Sequence, residues 1–210
     1  MDTRDAWALH AMINPKELIN DIRRKNGEIQ ISALNHYKFN SNANGEDENL
    51  IQRTELVETL LEDFSSTDLR LIRSLFDEEL KCNKVIGRHD NLYQLCFYLY
   101  ELGNLEDVYR IFKAKYQSND MDTSTILDRE MLYLNHPVQD VINFVEEDIK
   151  LNENIESSRL LETLKELKKR PDYGSVEEYS MFLRGYFFGH ETESNGITKG
   201  SKKAWWQFWK

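Results

Sequence analysis

Residues 90–116 read DNLYQLCFYLYELGNLEDVYRIFKAKY. Leu92, Leu95, Cys96, Leu99 and Leu102 recur at the three-and-four spacing that gathers side chains on one face of an α-helix. Leu105, Val108, Phe112 and Tyr116 repeat the pattern on a second helix. Between the two, Gly103 suits the left-handed conformation that ends a helix, and Asn104, with Asp107 three residues on, suits the start of the next. The stretch therefore predicts a helical hairpin. It describes a scaffold and contains no reactive constellation.

Working outward, the same period returns on both sides. Asn14-Pro15-Lys16-Glu17 is a helix start: a capping Asn, Pro at the first helical position and an acid in the first turn. A helix over 49–64 is expected to turn Leu50, Thr54, Val57, Leu61 and Phe64 inward, and the next to bury Leu69, Ile72, Leu75, Phe76 and Leu80. Beyond the hairpin, a short helical segment is predicted over 126–134. A helix after Pro137 carries Val138, Val141, Ile142, Val145 and Ile149, and one over 153–169 carries Leu160, Leu161, Leu164 and Leu167. A last helix opens on a capping box from Ser175 to Glu178 and runs to Gly189. Residues 28–39 alternate like a strand at Ile29, Ile31 and Ala33, then lose the alternation, and stay unassigned. Residues 40–48, NSNANGEDE, read as a polar, flexible loop.

The chain is 210 residues long, which fits one domain, taken as 1–190, with a tail at 191–210. Three prolines and nine glycines are few, so the fold class expected is all-α, with antiparallel hairpins packed as a solenoid-like or compact helical repeat. Twenty-seven basic residues against 37 acidic ones give a net charge of −10, which would repel a nucleic-acid backbone and favours a basic protein partner. Two cysteines make no disulfide scaffold, and no window is apolar enough for a membrane span, so a cytoplasmic location is expected.

Motifs that carry chemistry are missing where they would be sought. His10, His36, His89, His136 and His190 are scattered without metal-ligand spacing, and no phosphate loop or nucleophile elbow occurs. The calcium-like patterns at 40–51 and 120–131 lack the terminal Glu, so neither a metal nor a cofactor is expected. Cys96 sits on the apolar stripe as a core residue. Cys82, between Lys81 and Lys84, is the better reactive thiol of the two, though an ordinary surface residue is the plainer reading. The expectation is a protein without enzymatic activity.

The hairpin resembles a tetratricopeptide unit, with Leu92, Leu95, Cys96, Leu99 and Leu102 at its first-helix positions and Val108 and Phe112 at the small and aromatic positions of its second helix. More broadly, NLYQLCFYLYELGNLEDVYRIFKAK, the VINFV helix and EEYSMFLRGYF are similar to a group of bacterial all-helical proteins. Some of those lie beside toxin genes and are thought of as immunity proteins. The resemblance implies an immunity-type interaction protein and transfers no catalytic residue.

On that reading a basic toxin would meet carboxylates on one face, the candidates being Glu146, Glu147, Asp148, Glu177 and Glu178. Alternatives are a helical-repeat adaptor for a peptide or protein, and a membrane-peripheral protein. The tail carries four lysines against two glutamates, and Trp205, Trp206, Phe208 and Trp209 crowd its last six residues. Aromatics of this size need a surface: the chain's own acidic body, a partner, or a membrane interface.

Overall fold

The computed structural model describes residues 14–87, 90–116, 121–151 and 155–189. These residues form helices α1 (Pro15–Arg24), α2 (Leu50–Leu60), α3 (Leu69–Ile86), α4 (Asp90–Leu102), α5 (Val108–Tyr116), α6 (Met121–Ile126), α7 (Val138–Leu151), α8 (Ile155–Lys169) and α9 (Val176–Phe188), with short 3-10 turns between several of them. Among the described residues the only β pairing is an isolated bridge between Ser41 and Asp47. The class is all-α, as the composition predicts. None of the described helices is long and apolar enough to cross a membrane.

The helix ends follow from local chemistry. Asn14 accepts a hydrogen bond from Lys16 N at 2.9 Å to start α1, and Ser175 accepts one from Glu178 N at 3.1 Å to start α9. Asn104 takes Glu106 N at 3.1 Å, and a 3-10 turn over Leu105–Asp107 leads into α5. Gly103, at φ +64°, makes the corner between α4 and the turn into α5, and His136 Nε2 donates to its carbonyl at 2.7 Å; α4 packs chiefly on α3 rather than on α5. Gly27, at φ +80°, ends α1 so close to the start of the next turn that a Cβ there would stand 2.8 Å from the Thr67 carbonyl oxygen.

Helix α4 is the centre of the molecule. Leu92, Leu95, Cys96 and Leu99 are buried as the spacing predicts, but so are Tyr93, Phe97, Tyr98 and Tyr100 on its other sides. The helix therefore has no solvated face over most of its length. Helices α2, α3 and α9 and the 3-10 turn Arg129–Tyr133 all pack on it. From α9, Phe187 stacks on Phe97 with ring centroids 4.3 Å apart, and Tyr179 meets Tyr100 edge-on at 5.5 Å. Helices α7 and α8 form a second antiparallel pair, through Val141, Ile142, Val145, Leu160, Leu164 and Leu167.

Helix α2 departs from the expected face. Its buried residues are Arg53, Leu56, Val57 and Leu60, while Leu50, Thr54, Leu61 and Phe64 are only half-buried. An arginine moves the face. Arg53 is sealed from solvent between Asp47 and Glu79, and a period count that scores Arg as polar places it outside. The unassigned 28–39 stretch contains a 3-10 turn over Ile31–Tyr37, and the 126–134 segment divides into the end of α6 and a second 3-10 turn. The 40–48 loop is held by Asn42, which accepts from Asn44 N and Glu46 N through its side chain, and by Asp47, which bonds Asn40 N, Asn49 N and Arg53.

Candidate functional site

Helix α3 supplies the floor and one side of a concavity among the described residues. Leu75 and Leu80 lie at its base, and Arg70, Ser74, Asp77, Lys81 and Lys84 follow one another along the helix at three- or four-residue steps. Residues at that spacing lie on one helical face. Leu34 and Tyr37, from the 3-10 turn, and Lys38 make the opposing wall, and Arg110 and Lys113 of α5 close one end. The groove has a volume of about 590 Å³ and runs into a second hollow of about 420 Å³ that shares Leu34, Lys38, Ser74 and Asp77.

The lining is strongly basic in a chain that is net acidic. Lys38, Arg70, Arg73, Lys81, Lys84, Arg110 and Lys113 face two carboxylates, Asp77 and Glu78. Some of these cations are engaged. Arg73 holds the buried Asp107 through Nε and Nη2 at 2.8 and 2.9 Å, Arg110 reaches Asp107 at 3.1 Å, and Lys81 pairs with Glu78 at 2.6 Å. Arg110 Nε stands 3.7 Å from Asp77. Arg70, Lys84 and Lys113 are exposed and have no carboxylate within ion-pair distance among the described residues.

The wall is anchored to the interior. Glu78 accepts Phe39 N at 2.9 Å through its second oxygen, and Asn49 Nδ2 donates to Lys38 O at 2.8 Å. Arg53 bonds Asp47 and Glu79 at 2.5 Å each and reaches Tyr37 O at 3.4 Å, while Asn91 Nδ2 donates to Glu79 Oε1 at 2.8 Å. A buried ion pair of this kind fixes geometry. Here it fixes the loop that leads out of the groove wall against α3 and α4.

The carboxylates singled out in the sequence do not form one patch of free acids. Asp148 accepts the Tyr109 hydroxyl at 2.6 Å and Ser157 Oγ at 3.2 Å, so it ties α5 and α8 to α7. Glu146 pairs with Lys165 at 2.8 Å, and that hydrogen bond holds its carboxyl below the usual range. Glu178 accepts Gly174 N at 2.8 Å and stabilises the turn before α9. Glu177, whose carboxyl is lowered by its own backbone N–H and by Ser175, is exposed, as is Glu147. Trp205, Trp206, Phe208 and Trp209 lie outside the described residues.

Neither thiol is a surface group. Cys82 is fully buried rather than at the surface its lysine neighbours suggested, because it lies on the inner side of α3. Burial, with Glu79 nearby, pushes its thiol up to about 12, and burial likewise raises Cys96. His89 lies outside the described residues.

Comparison of the chain with protein-family models, with curated proteins and with solved structures finds no match. The groove residues are those that reasoning from sequence missed. Their signal was present in the polar side of α3, where Arg70, Asp77 and Lys84 repeat at seven and Ser74 and Lys81 at seven. A net charge summed over the chain hides such a stripe.

Proposed function

We propose that this protein works in the cytoplasm by contact with another protein, as an interaction module on a helical-hairpin scaffold, and not by catalysing a reaction. The observation that carries this reading is the sorting of charge over its surface. Seven of the 27 basic side chains line one groove that holds only two carboxylates, within a chain of net −10, so the remaining surface is more acidic than the average suggests. Complementary fields of this kind steer and select partners.

Its most concrete form is an immunity-type protein that masks a basic toxin. Glu147 and Glu177 are the carboxylates best placed to meet that partner, being exposed on α7 and at the start of α9. Masking would be steric and electrostatic, with the two carboxylates approaching lysines or arginines around the partner's working site.

Affinity capture from the native cell tests the reading. The expected result is one basic protein, held equally by the full chain and by a version ending at Gly189, and released as salt rises. Joint replacement Glu147→Lys and Glu177→Lys should weaken that capture by at least about tenfold. Capture indifferent to salt and to both replacements would refute it. A capture lost with residues 190–210 would move the contact to the aromatic tail.

A further inference from the structure

We propose that the basic groove between residues 34–38, α3 and α5 is a binding site for a short acidic protein segment that carries an apolar residue. This adds a second surface of opposite sign to the module, and it rests on the reading that the chain binds protein.

Three observations converge on it. The first is the supply of charge. Arg70, Lys84 and Lys113 stand exposed at the rim with no carboxylate partner among the described residues, and the groove's own acids are already met, Glu78 by Lys81 and Phe39 N, Asp77 by Arg110. An incoming carboxylate thus finds cations that need not first be freed.

The second is the floor. Leu75 and Leu80 already lie covered to within a few per cent, but Leu34 and Ile29 beside them are only half-buried, so an occupant that lays an aliphatic side chain there removes apolar surface from water. A bare polyanion gains nothing from such a floor. A nucleic acid would also bring its phosphates up to a chain of net −10.

The third is length. Arg70 and Lys84 are fourteen residues apart on one helix, or about 21 Å at 1.5 Å per residue. An extended segment of about six residues covers that distance, with alternate side chains turned to the floor and away from it. Carboxylates near its ends would fall beside Arg70 and Lys84, with Lys113 at the α5 side.

The test uses the full chain and a fluorescein-labelled peptide of about eight residues in which Glu and Leu alternate, followed by fluorescence anisotropy. Saturable binding is expected. It should weaken at least about tenfold in the triple variant Arg70→Glu, Lys84→Glu, Lys113→Glu, and more mildly in the triple glutamine variant. All three side chains are exposed, and circular dichroism checks that both variants stay folded. No binding of the peptide, or binding that neither variant weakens, overturns the proposal. So does an oligothymidylate or polyphosphate that competes as well as the peptide, because the site would then be a generic anion site. Joint Glu147→Lys and Glu177→Lys replacement should leave peptide binding unchanged. Capture of a basic partner by a chain that ignores the peptide would sink the groove assignment alone and leave the interaction module standing.

Discussion

Arg53 Nε lies 2.5 Å from Glu79 Oε1, and neither side chain is reached by solvent. Breaking such a pair from one side leaves an uncompensated buried charge, whereas replacing both members by apolar groups often costs little. Arg53→Met should lower the unfolding free energy by about 3–5 kcal/mol, measured by urea denaturation. Because Arg53 also meets the buried Asp47 at 2.5 Å, the charge is removed completely only by Arg53→Met with Glu79→Leu and Asp47→Asn, which should cost less than the single change. A triple variant as unstable as the single one would show that the buried charges are not where the energy resides.

Gly27 and Gly45 share a φ of +80°, but only Gly27 has a neighbour in the way, the Thr67 carbonyl oxygen at 2.8 Å from an added Cβ. Gly45→Ala should cost about 1 kcal/mol for the left-handed backbone alone. Gly27→Ala should cost that and about 1–3 kcal/mol more, since backbone must move to admit the methyl. Thermal unfolding of the two variants side by side separates conformation from contact, and equal losses would contradict the close approach.

The two thiols should be silent in the folded protein. With Cys82 raised to about 12 and Cys96 raised by its burial, almost no thiolate is present at pH 8. Ellman's reagent should react more than about a hundredfold more slowly with the native chain than with the chain in concentrated guanidinium, where both cysteines respond. Rapid reaction of one thiol in the native protein would show that the helix carrying it, α3 for Cys82 or α4 for Cys96, opens locally.

Asp128 gives stability a pH dependence. Burial raises its carboxyl above the ordinary value near 4, against the lowering effect of the Tyr179 hydroxyl at 3.1 Å and of Lys115. A carboxyl whose folded pKa exceeds the unfolded one contributes most below the unfolded pKa, and the contribution is lost as pH rises through the folded value. Asp128→Asn keeps an acceptor for Tyr179 and cannot ionise. Relative to the parent it should therefore gain stability as pH rises from about 4 toward neutrality. Chemical denaturation at several pH values measures this, and a gap that stays constant would remove Asp128 as the cause.

Much of the scaffold could be read from the chain, because capping chemistry and the 3.6-residue period are local. Asn14, Gly103, Asn104 and Ser175 all sit where their side chains or backbones suggested. What escaped was set by distant partners. Arg53 goes inside only because Asp47 and Glu79 are there to receive it, and the aromatic residues of α4 are buried on every side because α9 returns to cover Tyr93, Phe97 and Tyr100 while Phe64 and Val57 cover Tyr98. The acidic candidates illustrate the same limit. Adjacent carboxylates look equivalent in a sequence, yet Asp148 is held by Tyr109 and Ser157 while Glu147 is left in solvent.

The return of α9 to the middle of the chain also orders events during synthesis. Phe97 cannot meet Phe187, nor Tyr100 meet Tyr179, until some eighty or ninety further residues have been made. Until then the nascent chain carries its most apolar helix with one aromatic side uncovered. Contacts of such long sequence separation slow the final closure and leave the intermediate prone to association. A stop codon anywhere before residue 176 would thus release a product that sticks to itself and to chaperones, rather than a shorter version of the same module.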